Sequence, residues 1–284
     1  MNKSGRSPGV KSWKPRLFDL HLHAEGLADA DLATLAYFGV EAAMTCAHDA
    51  GAATAKSVLA HFDDLCGRQS ERLLRAGIRP LVGLGVHPGR IPWHGLRELL
   101  HALPEYLGRR GVVALGEIGL EHGGPREETL LLEQLELARR LRLPVLVHTP
   151  ERDKARLTRR TLALLRESGI PPDRAVVDHV TPVTFALVRA CGFRAGLTLR
   201  PGELSVTQAA TLIERHGSEG LHLSSDAGDG PADLLGLPRA VALLEQRVPA
   251  QVVRRVAFEN SAQLLGVERV QSAGRPETGA ARGG

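Results

Sequence analysis

The chain has 284 residues, 43% hydrophobic and 24% charged, enough to bury one large core without calling for a second domain. No apolar run approaches the roughly 20 residues that span a bilayer, and none follows the basic start MNKSGRSPGVKSWKPR as a secretory leader requires, so the cytoplasm is expected and a membrane partner is not. The net charge of +4 sits in the ends: residues 1–16 carry five basic groups and no acid, residues 270–284 hold Arg275 and Arg282 against Glu277, and the body between is slightly acidic. This excludes a basic binding face and predicts two disordered polar tails, 1–16 and 267–284.

Between the tails, short apolar runs alternate with longer amphipathic ones. In chain order the predicted strands are Leu17–His21, Val40–Cys46, Pro80–His87, Val112–Glu117, Pro144–His148, Ala175–His179, Phe193–Leu199 and Leu221–Asp226. Runs such as VVALGE, PVLVH and AVVDH are nearly continuous in apolar residues, as strands covered on both faces must be. Helices are predicted between them over Asp29–Phe38, Ala53–Ala76, Leu96–Leu107, Arg126–Leu141, Arg152–Glu167, Val183–Ala190 and Val206–His216, with Ala232–Gln246 and Ala250–Leu265 after the last strand. Eight strand–helix alternations without a break in composition predict a single-domain (β/α)8 TIM barrel over residues 17–266. An open doubly wound sheet is disfavoured because no GxGxxG or GxxxxGK[ST] loop follows a strand. Cys46, Cys66 and Cys191 are odd in number and lack a CxxC pair, which argues against disulfides and a thiolate zinc site.

Polar residues fall where such a barrel builds its site. His21 and His23 end the first strand, His48 follows the second, and His87 ends the third; Glu117, His148, His179 and Asp226 end the fourth, fifth, sixth and eighth. The C-terminal strand ends converge on one rim, so residues some two hundred positions apart meet in one pocket. Positions two apart share a strand face, so His21 and His23 can grip one ion from the barrel interior. Asp19, on the same alternation, is placed to orient an imidazole. Glu117 ends an apolar strand and needs a cation or dense hydrogen bonding to be buried; a carboxylate can also bridge two ions. The last strand neighbours the first, so Asp226 reaches the ion of His21 and His23 and can accept a proton from metal-activated water.

His87 and His48 are expected to touch substrate rather than metal, and Arg200 suits an anionic group. Asp178 is expected to point away from His179 as a structural residue, Glu121 and His122 to be peripheral, and Asp229 to serve a turn. Imidazole and carboxylate without thiolate suit two divalent ions among zinc, manganese, iron or, with more water, magnesium.

The motifs DLHLH, GVHP, GEIGLE, PVLVHT, VVDHV, the SSD segment and FENSAQLLG occur in order. Through them the chain from Leu17 to Gly266 resembles the TatD-related metal-dependent hydrolases among the amidohydrolase-like barrels. TCAHD, LGVHPGRIP and LTLRPGELS resemble an uncharacterised branch of that family most. The resemblance implies a binuclear centre and hydrolysis, often of nucleic-acid phosphodiesters. His21, His23 and Asp226 would hold one ion, Glu117 would bridge, and His148 and His179 would hold the second, with Asp226 accepting the proton. Three positions depart from the usual pattern: Gly89 and Arg90 follow Pro88 where a second histidine is usual, Ser-Asp-Ala-Gly replaces Thr-Asp-x-Pro, and Glu121 replaces an aspartate. Ligands are retained while residues nearest substrate differ.

A phosphoesterase of the TatD-like DNase type is the leading expectation, acting on a small-molecule or nucleic-acid phosphoester, with no obligate protein partner. Hydrolysis of C–N bonds or lactones is the alternative, although no lysine lies between Lys56 and Lys154 to serve as a carbamylated bridge. A non-catalytic metal-binding protein is the third. An aromatic content of 4% offers no obvious stacking platform for bases.

Overall fold

The computed structural model describes residues 15–48 and 54–267. Eight strands form one sheet in chain order: β1 (Leu17–Leu22), β2 (Val40–Cys46), β3 (Arg79–Leu84), β4 (Val112–Gly119), β5 (Val145–His148), β6 (Ala175–Val177), β7 (Arg194–Thr198) and β8 (Leu221–Ser224). Every consecutive pair is parallel. The ring closes beyond β8, where the Asp226 amide donates to the His21 carbonyl at 2.8 Å and the His23 amide donates to Ala227 at 2.7 Å. This is the expected (β/α)8 barrel.

The outer helices are α1 (Asp29–Tyr37), α2 (Ala55–Asp64), α3 (Ser70–Arg75), α4 (Leu96–Leu107), α5 (Pro125–Leu141), α6 (Lys154–Glu167), α7 (Pro182–Ala190), α8 (Val206–His216) and α9 (Gly236–Leu244). Thr54 begins α2 by accepting from the Ser57 amide, and Thr181 and Ser205 cap α7 and α8 in the same way, relieving amides that have no partner inside the helix. Two helices expected as single pieces contain a π-type turn, Leu65–Gln69 between α2 and α3, and Arg255–Glu259 between α10 (Ala250–Arg254) and α11 (Asn260–Leu264).

The apolar residues form two shells. Leu17, Val82, Leu115, Val147, Val177 and Leu223 face outward beneath the helices. Phe18, Leu20, Met44, Leu146 and Val176 alternate with that set and fill the lumen, and Phe258 closes it below. The lumen of the described barrel is therefore a packed core, and the polar strand ends gather at its C-terminal rim.

The expected tails lie outside the described residues except for Pro15, Arg16 and Val267. Arg16 is not loose: it pairs with Glu41 at 2.8 Å and lies 4.6 Å over the Phe258 ring. Val267 is buried. Among the described residues the three cysteines are unpaired, and no helix is long and apolar enough to cross a membrane.

Candidate metal centre

Six of the expected residues meet at the rim. His21 Nε2 stands 3.1 Å from His23 Nε2 and 3.2 Å from Glu117 Oε2, and His23 Nε2 stands 3.1 Å from Asp226 Oδ1. On the other side, Glu117 Oε1 lies 3.2 Å from His179 Nε2 and 3.4 Å from His148 Nδ1. Glu117 thus presents one oxygen to each group of imidazoles. All but His148, which is partly exposed, are almost fully buried.

Each imidazole has its outer nitrogen engaged. His21 Nδ1 donates to Asp178 Oδ2 at 2.8 Å, and His23 Nδ1 donates to the Cys46 carbonyl at 3.1 Å. His148 Nε2 donates to Glu121 Oε2 at 2.9 Å. Thr198 Oγ1 donates to Asp178 Oδ1 at 3.0 Å, so it receives the proton of His179 Nδ1, 3.1 Å away. Fixing the outer N–H leaves four inner lone pairs aimed at two carboxylates, a donor set that only added positive charge can satisfy. His148 Nδ1 is buried without a hydrogen-bond partner. The donors fit divalent ions: His21, Glu117 and His179 form one group with ligand atoms within 4.8 Å of one another, and His21, His23 and Asp226 form a second. His87, Glu117 and His148 form a third, so His87 stands nearer the metal-competent donors than expected.

The electrostatics agree. Burial would raise the Glu117 carboxyl, but His21, His148 and His179 hold it well below the usual range. Burial likewise opposes charge on Asp226, and His21 and His23 overcome it, keeping the carboxylate ionised. Burial disfavours a charged His148, yet Glu117 and Glu121 raise its pKa to about 9. His87 differs. Burial and its neighbour His148 hold its pKa well below the ordinary value, and its Nδ1 accepts from the Gly89 amide at 3.1 Å, leaving a neutral ring with a donor at Nε2.

Three local departures from regular strand geometry bring the candidate ligands inward. Val176 faces the lumen, so Asp178 follows it inward and His179 would face out; a left-handed backbone at His179, φ 55°, redirects it to the site. Asp226 has φ 50° and lies beyond the end of β8. In β1 the lumen-facing residues are Phe18 and Leu20, and a register irregularity between Asp19 and Leu22 turns His21 inward.

Asp178, expected to be structural and to point away from the site, faces into it. Fully buried, it fixes the His21 tautomer and reaches Thr198, and a Cβ on Gly196 would fall 1.9 Å from its Oδ1, so only glycine leaves it room. Asp19 also differs from expectation: it bonds no imidazole but accepts from the Ser225 amide at 2.9 Å and the Ser225 hydroxyl at 2.5 Å, anchoring the turn that presents Asp226. Burial raises the Asp19 pKa to about 6 against those bonds. Glu121, expected at the periphery, supports His148. The signal for Asp178 was an unpaired acid inside the apolar run AVVDH; nothing in the sequence marked Thr198 as its partner.

Above the centre lies a cavity of about 440 Å3 lined by His48, His87, Arg90, Arg152, Arg200 and Asp229 among others. The Arg200 guanidinium donates to Asp226 Oδ2, and its buried Nε has no partner. Asp229, assigned to a turn, stands 3.6 Å from His48 Nε2. Lys154 pairs with Glu203 at 3.0 Å, tying the start of α6 to the loop after β7.

The model of the TatD-related DNase family matches residues 18–199. An uncharacterised metal-dependent hydrolase of Methanocaldococcus jannaschii is 33% identical over 246 residues, covering 84% of this chain and 97% of the relative. The crystal structure of a TatD-like protein from Archaeoglobus fulgidus is 32% identical with a TM-score of 0.77, covering 88% of this chain and 100% of that one. A phosphotriesterase homology protein from Escherichia coli, solved with phosphate in its active site, shares the fold at 16% identity and a TM-score of 0.63, over 87% of this chain and 98% of its own.

Proposed function

The chain belongs to the TatD-related family of metal-dependent hydrolases, and on that premise we propose that it is a phosphoesterase of the DNase type with a two-ion centre. The observation that carries this reading is the division of Glu117, one oxygen facing His21 and His23 and the other facing His148 and His179. His21, His23 and Asp226 would hold one ion, His148 and His179 the other, and Glu117 both. Zinc, manganese or magnesium suits these donors. The chemistry such ions supply when bound is polarisation of a phosphoryl oxygen and a lowered pKa for water.

The protein's own groups do the rest. Asp226 is ionised and turns Oδ2 toward the cavity, where it accepts the proton of the attacking water. Arg200, already on that oxygen, transfers its guanidinium to a non-bridging oxygen of the substrate and leaves Asp226 free to act. His87 donates from Nε2 to a second substrate oxygen without adding charge, and His48 lines the same wall. The three unpaired thiols support a cytoplasmic location. No obligate protein partner is part of the proposal.

The test is metal content paired with hydrolysis of bis-p-nitrophenyl phosphate before and after chelation. About two ions per chain with restorable turnover is expected, and Glu117→Ala should lose both turnover and metal while keeping its circular dichroism. Two ions with turnover only on lactones or cyclic amides would overturn the phosphoester assignment. Turnover unchanged by chelation would overturn the metal centre.

A further inference from the structure

Trp93 is 77% exposed on the connection from β3 to α4 that also carries His87 and Arg90. An isolated exposed aromatic needs no explanation; this one has a built setting. Arg126, in the first turn of α5, lies 5.6 Å from the indole centroid and donates to the Pro92 carbonyl at 2.7 Å. On the other flank the Ala55 amide donates to the His94 carbonyl at 3.1 Å, fastening the loop to α2. Pro92 itself is buried. The indole is thus presented outward by backbone anchored on both sides, with a cation beside its ring.

Its position gives the setting meaning. Arg90, three residues earlier, lines the catalytic cavity, and three residues of chain reach no more than about 11 Å. Arg152 lines the same cavity. An outward-facing aromatic with Arg126 beside its ring, on the same short connection as the cavity-lining Arg90, matches how proteins hold single strands: basic groups follow the backbone while a ring stacks on a base.

We propose that Trp93 is the stacking platform for the nucleobase next to the scissile linkage, with Arg90 holding the adjoining phosphate. Trp93 is then a specificity-determining residue that favours nucleic-acid ends over small phosphodiesters. The inference rests on the phosphoesterase reading. One tryptophan at the rim suffices, so the low aromatic content does not oppose it.

The experiment compares metal-loaded wild type, Trp93→Ala and Trp93→Phe on a single-stranded oligothymidylate, on the same strand with an abasic site beside the cleaved linkage, and on bis-p-nitrophenyl phosphate. Trp93→Ala should lower the ratio of oligonucleotide to small-diester kcat/KM by about 5- to 100-fold, chiefly through KM, the range that stacking one base delivers. Trp93→Phe should recover most of the ratio, and the abasic strand should not distinguish the variants. Thermal melts verify folding. An unchanged ratio overturns the proposal, as does an equal loss on intact and abasic strands, or a change of oligomeric mass in Trp93→Ala that marks the indole as a self-association contact. Hydrolysis of the small diester without the oligonucleotide overturns the stacking role and leaves the phosphoesterase reading standing. Turnover of neither defeats that reading itself.

Discussion

Replacing Asp178 by asparagine isolates the support of one proposed ligand, His21, from the ligand itself. The change is nearly isosteric, and the amide oxygen can still accept from Thr198, as Oδ1 does at 3.0 Å. The amide nitrogen then faces His21 Nδ1, where the carboxylate now accepts at 2.8 Å. Two donors cannot share that contact, so His21 moves its proton to Nε2 and loses the lone pair that faces His23 and Glu117. The lost bond is charge-assisted and buried, of a kind worth about 1.5–3 kcal/mol. At about 1.4 kcal/mol per tenfold, that is roughly 10- to 100-fold in affinity for one ion, the range found when partners behind metal-bound histidines are removed. Competition with a calibrated chelator should resolve one weakened and one near-normal equivalent in Asp178→Asn, with little change in far-ultraviolet circular dichroism. Two equivalents at wild-type affinity would refute the tautomer argument.

Three further outcomes follow from the geometry. His222 is buried in the lower barrel with Nδ1 against Ser261 at 3.1 Å, and burial pushes its pKa down to about 3. The unfolded chain takes up that proton near pH 6.5 while the native chain resists it to about pH 3. Stability is therefore lost as pH falls through this window, by about 2 kcal/mol at pH 5. Urea titrations at pH 7, 6 and 5 should show His222→Asn losing less stability than wild type by about that amount, and parallel curves would exclude the assignment. Gly196→Ala forces a Cβ onto Asp178 Oδ1 at 1.9 Å, so overpacking of about 1–3 kcal/mol should lower Tm by roughly 3–10 °C; an unshifted melt would contradict the close approach. Arg200→Gln should raise KM for a phosphodiester about 10- to 100-fold, the worth of one charge-assisted bond, and an unchanged KM would remove Arg200 from substrate binding.

The barrel was legible because all eight strands are covered on both faces, so runs such as VVALGE and PVLVH stood out without alternation to decode. Helix interruptions at Leu65–Gln69 and Arg255–Glu259 were not, since apolar periodicity continues through one inserted residue. The site was legible for a partly mistaken reason. Period-two alternation pointed to His179 and Asp226 as inward residues of regular strands, whereas the strands end first and left-handed residues deliver them. The same premise sent Asp178 outward, although Val176 below it faces the lumen. Asp19 and Glu121 drew attention as acids near candidate ligands, but their partners, Ser225 and His148, lie 206 and 27 residues away and are set by barrel closure and by the pairing of β4 with β5.

That closure bears on how the protein comes to carry metal in a cell. His21 and His23 emerge early in synthesis, while Asp226 and the turn that meets the His21 carbonyl come more than two hundred residues later. A chain still lacking its eighth strand has imidazoles but not the carboxylate that completes their group. On the two-ion reading, the ion at His21 and His23 gains its full ligand set only when the eighth strand closes the ring, whereas Glu117, His148 and His179 are already in the chain before it.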